Sequence, residues 1–191
     1  MKIYTRKGDD GTTGLLYGGR VPKDGAAPTA YGTVDEAQAA IGIARAEVLT
    51  HPDESPGELA DMLVGLERDL WVLMAEMATA PGNRHKLTGG TNLVTAEMVE
   101  ALEEQIDAYT ARFEQPTEFV VPGQDLVAAQ LDVARTVVRR AERDALAVDD
   151  EAPGTEPSQV VAYLNRLSDL VWTLARWQEA SAGEGSLPSR A

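Results

Sequence analysis

The feature that most constrains this chain is a run of leucines and methionines at helical spacing. Leu59, Leu63, Leu66, Leu70, Leu73, Met74 and Met77 recur three and four residues apart. On a helix with about 3.6 residues per turn, that spacing gathers them on one face. So continuous an apolar face has to be buried against other helices. The stripe predicts a helix over 57–79, in which Trp71 and the methionines read as core rather than as cofactor contacts. Four further segments carry matching patterns. Val34, Ala37, Ile41, Ala44 and Val48 predict a helix over 30–49, with Asp35 and Glu36 in a first turn where acids suit the helix dipole. Met98, Leu102, Ile106 and Tyr109 predict one over 95–112, with Thr95 as its N-cap. Leu126, Ala129, Val133, Val137 and Ala141 predict one over 125–146. Val161, Leu164, Leu167, Val171, Leu174 and Ala175 predict the last, over 158–182. Its other face offers Asn165, Ser168, Asp169 and Trp172.

The connections complete the picture. Residues 50–56 form a loop, and the polar, glycine-rich 80–94 reads as a mobile one. Phe119–Val121 is a short extended piece before the turn at Pro122-Gly123. The acidic stretch 147–157 is a loop, and the tail GEGSLPSRA reads as disordered. No segment is strand-rich, and no internal repeat is present. The expectation is all-α: a five-helix bundle, four-helix-bundle-like and up-and-down. One domain spans 1–191, divided into an irregular N-terminal loop (1–29), the bundle (30–182) and a flexible tail (183–191).

Residues 1–29 hold Gly8, Gly11, Gly14, Gly18, Gly19 and Gly25 with Pro22 and Pro28, a density that forbids a long helix. A short extended piece fits residues 2–5. A Walker loop is absent. Glycines beside Thr5, Arg6, Lys7, Thr12 and Thr13 would let backbone N–H groups and hydroxyls wrap a phosphate chain; a floppy arm is equally compatible with the composition.

Charge narrows the partners. A net charge of -14 repels nucleic acid and anionic membrane surfaces. Yet of 17 Lys and Arg, five fall in residues 1–23 and four in 135–143. Arg135, Arg139 and Glu142 share one helical face. Such clustering suits one small polyanion, although salt bridges to some of the 31 acidic residues explain it as well. Arg143 and Arg166 read as structural. Asn165 is a poor helix former in a helix interior, which favours a specific hydrogen bond. With no cysteine, disulfides, thiolate metal sites and cysteine nucleophiles are excluded, and two histidines are too few for a histidine metal site. No apolar run approaches the roughly 20 residues of a membrane span. MKIYTRKGDD lacks the apolar core of a signal peptide, so cytoplasm is the expected location.

Three blocks then carry a resemblance: YTRKGDDGTTGLLYGGRVPKD (4–24), AYGTVDEAQAAIG (30–42), and FVVPG with ARTVVRRAER and YLNRLSD (163–169). In this order and at these separations, they resemble the PduO-type corrinoid adenosyltransferases over nearly the whole chain. The resemblance implies a homotrimeric bundle with active sites at subunit interfaces. It implies transfer of the 5'-deoxyadenosyl group of ATP to the cobalt of cob(I)alamin, with release of triphosphate. Thr5, Arg6, Gly8, Asp9, Gly11, Thr12, Thr13 and Lys23 match the loop that orders around ATP and Mg2+, the ion being held mainly through ATP. Arg135, Arg139, Arg140, Glu142 and Asn165 match the rest of the nucleotide site. Asp35 is implied to pair with Arg135 across the interface, and Phe119 to pack beneath the corrin ring. Implied partners are cob(II)alamin or cob(I)alamin, a flavin reductase, and a B12-dependent mutase or dehydratase.

Cob(I)alamin is itself the nucleophile, so alignment and charge are what the protein must supply. The sequence departs from the family pattern at Gly123-Gln124 in place of two glycines, at Ala37-Gln38 in place of Leu-Asn, and at Asp132 in place of His. No aromatic follows Trp177. The alternative function is a non-catalytic cobalamin carrier; a purely structural bundle has no use for the glycine loop.

Overall fold

The computed structural model describes residues 3–150 and 157–190, the side chains of residues 149 and 150 excepted. Five helices dominate: α1 (Ala26–Thr50), α2 (Leu59–Met77), α3 (Ala96–Thr110), α4 (Leu126–Asp150) and α5 (Val160–Ser181). The all-α bundle holds. Two antiparallel ribbons are added to it: β1 (Thr12–Gly14) with β2 (Arg20–Pro22), and β3 (Val120–Val121) with β4 (Leu187–Pro188). The expected loop over 147–157 begins later, because α4 continues to Asp150; its residues 151–156 lie outside the described residues, as do Lys2 and Ala191.

Helix α1 packs against α2 and α4, α4 against α5, and α5 against α3. Side-chain contacts fix the registers. Thr33 donates to Asp144 at 2.7 Å and Arg140 pairs with Glu36, so α1 and α4 run antiparallel. Asn165 meets Glu142 and Arg176 meets Asp132, so α4 and α5 do too. Tyr163 donates to Asp69 at 2.8 Å, which seats α5 on α2.

Several expectations shift. Helix α1 starts at Ala26, with Gly25 as its extended N-cap and Pro28 in the first turn, where proline loses no helical hydrogen bond. Asp35 and Glu36 therefore lie more than two turns inside it, and the helix dipole does not explain them. The stripe of α4 matches the expected one at Val137 and Ala141, which are buried, and departs from it elsewhere. The helix buries Val127, Ala128, Leu131, Ala134, Val138, Ala141 and Ala145, whereas Leu126 and Val133 are each 59% exposed. Lying between α1 and α5, α4 needs two buried faces, and small alanines serve both. Trp71 is not core; it is 62% exposed, one residue and about 100° around α2 from buried Leu70. Helix α5 has no solvent face in its second half, where Thr173–Glu179 are all buried.

Burying α5 all round brings in polar groups that need partners. Arg176 is 1% exposed and meets Asp132 and Glu179; Gln178 donates to the Glu54 carbonyl at 2.9 Å. Thr95 caps α3, accepting from the Met98 N–H. The expected mobile stretch 80–94 is instead organised by a 3-10 turn, Pro81–Lys86. Fully buried Glu76 fastens it, accepting from Arg84 at 2.8 Å, the Val94 N–H at 2.7 Å and the Ser158 hydroxyl at 2.6 Å.

Candidate active site

The N-terminal segment is a hairpin rather than a floppy arm, and Ile3–Thr5 form no strand. β1 and β2 pair with Thr12 opposite Pro22, Thr13 opposite Val21 and Gly14 opposite Arg20. Its turn uses positive φ at Tyr17, Gly18 and Gly19. The Leu16 N–H donates to the Ala78 carbonyl at 2.8 Å, and the Tyr17 hydroxyl accepts from Asn92 at 2.8 Å; both ties anchor the hairpin on the bundle.

The expected phosphate-binding residues gather at its open end. The Lys23 N–H donates to the Gly11 carbonyl at 2.9 Å. A Cβ on Gly8 would lie 3.0 Å from the Thr12 carbonyl oxygen and 3.2 Å from Lys23 Nζ, so a side chain there would crowd the loop backbone and push the lysine aside. The Asp10 carboxylate accepts from the Thr12 N–H at 2.9 Å and from its hydroxyl at 2.7 Å. Those bonds, with Arg20 beside them, hold the Asp10 carboxyl below its ordinary range. Arg20 Nε in turn donates to the Thr12 hydroxyl at 2.9 Å. Thr12 is thus committed within the loop, while Thr5, Arg6 and Asp9 stand on its exposed rim. Arg6 takes a positive φ of 61° and stacks over Tyr4.

The second group lies along α4 and α5. Asn165 Nδ2 donates to Glu142 Oε1 at 2.9 Å, and its Oδ1 accepts from Arg166 at 2.6 Å, so both ends of the amide are held. Arg166 also meets Glu103 at 2.7 Å and Arg143 donates to the Arg139 carbonyl at 2.8 Å, as suits structural residues. Arg140 pairs with Glu36, and Arg139 is exposed with no ion pair among the described residues.

Phe119 opens the third group. It is 87% exposed and lines a cleft of about 690 Å3 together with Arg135, Asp132, Trp172 and Arg190. Ser189 and Arg190, just beyond β4, line one wall of this cleft: the expected disordered tail pairs Leu187 with Val121 and Pro188 with Val120, and the Ser189 N–H donates to the Phe119 carbonyl at 2.6 Å. An extended strand beside an unpaired one satisfies its backbone, which composition alone conceals.

Within the chain Arg135 pairs with Asp132 at 3.0 Å, not with Asp35. Asp35 lies instead in a shallow groove between α1 and α2, with Gln38, Gly42 and Trp71. Among the described residues no hydrogen bond or ion pair joins Thr5, Arg6, Gly8, Asp9 or Lys23 to Arg135, Arg139 or Arg140. The sequence reading missed Asp10, Arg20, Arg176 and Arg190. For Arg176 a signal existed: an arginine among Val171, Leu174, Ala175 and Trp177 demands a buried acid.

Known proteins resemble this chain in sequence and in fold. A family model described as cobalamin adenosyltransferase matches residues 3–178. The corrinoid adenosyltransferase of Mycobacterium tuberculosis (strain H37Rv) is 43% identical over 175 residues, covering 92% of this chain and 87% of that one. The Citrobacter freundii corrinoid adenosyltransferase is 38% identical over 180 residues, covering 94% and 96%. Among solved structures, a variant PduO-type ATP:corrinoid adenosyltransferase from Lactobacillus reuteri, complexed with cobalamin and ATP, superposes with a TM-score of 0.86 at 28% identity, covering 99% of this chain and 97% of that one. A bundle with a glycine-rich hairpin, an arginine helix and an aromatic cleft, matched along almost its whole length, places the chain in the cobalamin adenosyltransferase family.

Proposed function

We propose that this chain transfers the 5'-deoxyadenosyl group of ATP to the cobalt of cob(I)alamin. The cobalt electron pair forms the Co–C5' bond, the C5'–O bond breaks, and its electrons leave with triphosphate. The observation that carries this reading is that exposed Phe119 lines one cleft with Arg135, which shares α4 with Arg139 and Glu142. The relatives' names and the ligands of the solved structure support it.

The roles are assigned from the chemistry of each side chain and from the resemblance. Gly8, Thr13 and Lys23 offer an N–H group, a hydroxyl and an ammonium to a phosphate chain, with Thr5, Arg6 and Asp9 at its edge, while Gly11, whose N–H donates to the Gly8 carbonyl at 3.2 Å, and Thr12 brace the loop. Arg139 and Arg140 offer planar forks that bond phosphate oxygens in pairs as charge develops on the departing triphosphate. For Arg140 that means exchanging Glu36 for a stronger anion. Glu142 and Asn165 hold each other and present a fixed edge to the nucleoside. Phe119 puts an apolar face against the lower side of the corrin, where it excludes an axial ligand. Among the described residues no cluster of three or more His, Asp or Glu is set to hold a metal, and Asp10 is spent on Thr12. In this reading Mg2+ is carried by the triphosphate, whose charge it neutralises.

The assembly is a homotrimer whose site is shared between subunits. The Asp35 groove of one subunit receives the Arg135 side of its neighbour's α4, a head-to-tail contact that closes as a ring. Exposed Ile43, Trp71 and Val133 support this, since a lone subunit would leave them in water. The site is cytoplasmic, a flavin reductase supplies the electron for Co(I), and a mutase or dehydratase takes the product. The test is optical: the protein is mixed with ATP, Mg2+ and chemically reduced cobalamin. Loss of cob(I)alamin absorbance with formation of adenosylcobalamin is expected. Binding of both ligands without product removes the transferase reading and leaves the carrier.

A further inference from the structure

We propose that Asp132 is the positioning residue of Arg135, fixing the plane in which that guanidinium meets its anion; the proposal rests on the reading that Arg135 serves the transfer reaction. Asp132 is 4% exposed and lies one helical turn before Arg135. Its Oδ1 accepts from Arg135 Nε at 3.0 Å and its Oδ2 from Arg176 Nη2 at 2.6 Å. Arg176 is 1% exposed, and its Nε lies 3.1 Å from Glu179 Oε2, the oxygen that also accepts from the Ser186 hydroxyl at 2.6 Å. Charges alternate along this row of Arg135, Asp132, Arg176 and Glu179.

A carboxylate one turn away on an exposed helix holds an arginine weakly. Here the acid is withdrawn from water and its second oxygen is tied to a buried cation, so it cannot turn away. Arg135 is held by Nε, the inner corner of its fork. Its two terminal nitrogens remain for a bidentate partner on the cleft side, where the side chain is still 27% exposed. Ordering the long side chain in advance removes an entropy loss from the reacting complex. The competing role for Asp132 is that of mere counter-ion to Arg176, and the two roles separate by mutation.

Asp132→Asn should melt earlier than wild type and turn over about tenfold more slowly, with the KM for ATP changed less than about threefold. The paired exchange Asp132→Leu with Arg176→Met removes the buried cation together with its acid and should restore the melting temperature. Turnover should stay low in that double variant, because Arg135 remains unheld. Turnover recovering with stability would show that Asp132 serves Arg176 alone. Independently of activity, the Arg135 Nε–H resonance should be protected from exchange in wild type and lose protection in Asp132→Asn; unchanged protection overturns the proposal even if the double variant fails to fold. Wild-type protein that makes no adenosylcobalamin would defeat the transferase reading, and the resonance would still decide the positioning.

Discussion

Asn165 shows how a residue that weakens its helix is retained by its contacts. Its amide is held between Glu142 and Arg166, so the position is fixed before any ligand arrives. Arg135 is fixed in the same way, and Arg135→Ala should cut turnover by about a hundredfold with the assembly unchanged, as removal of one charge-stabilising donor does elsewhere. Assay of the variant beside its sedimentation profile checks this; near-normal turnover takes Arg135 out of the site. Asp69 gives a pH test. Burial raises its carboxyl above the ordinary range more than the Tyr163 hydroxyl lowers it. A carboxyl raised in the folded state stabilises fully below its unfolded value of about 3.9, and that contribution is lost as pH rises through the folded value. Asp69→Asn keeps an oxygen for Tyr163 and does not titrate. Its melting temperature relative to wild type should therefore shift in the variant's favour from pH 4 to pH 7, and a pH-independent gap rejects the assignment. At this scale the glycines, the arginine spacing and Asn165 were legible, because each is a local pattern. The pairings Arg140–Glu36 and Arg135–Asp132–Arg176 were not, since they depend on how α1, α4 and α5 register.

Elements were legible from their apolar stripes, the expected Leu164, Leu167, Val171, Leu174 and Ala175 of α5 included, and what escaped was the additional buried faces of α4 and α5. The α2 stripe reads directly from its leucines, while α4 and α5, packed on two sides or all round, carry alanines and paired polar groups that blur the period. The Thr95 cap of α3 was visible as a local signal. Thr95→Ala should cost about 1 kcal/mol, or roughly 2–4 °C in melting temperature, measurable by calorimetry. Glu76 was invisible as a polar knot because it lies among leucines. It joins α2 to the turn at Pro81–Lys86 and to the entry of α5. Glu76→Ala should destabilise by about 3–5 kcal/mol, because it leaves Arg84 and the Val94 N–H unpaired in the interior; a chemical-denaturation midpoint near wild type would contradict that role. The β-ribbons escaped sequence reading because two or three residues give no period to detect.

At the scale of the whole molecule, the outer face of α1 and α4 carries exposed apolar residues, Ile43 and Val133. The register set by Thr33–Asp144 and Arg140–Glu36 puts Val133 beside Ile43, and Trp71 borders the Asp35 groove. Trp71→Arg should convert a trimer to monomers in analytical ultracentrifugation and abolish turnover while the helical signal persists; a trimer that survives would point to another interface. The exposure of Trp71 was not legible in the sequence, because the leucine stripe placed it in the core. The ribbon of β3 and β4 has its own consequence. Two residue pairs and the Ser189 amide hold the wall that carries Phe119, so the ribbon opens more readily than the helices around it. The deuterium uptake of that single amide is thus a built-in clock for the cleft, readable on unlabelled protein, by which the residence time of anything lodged against Phe119 can be followed.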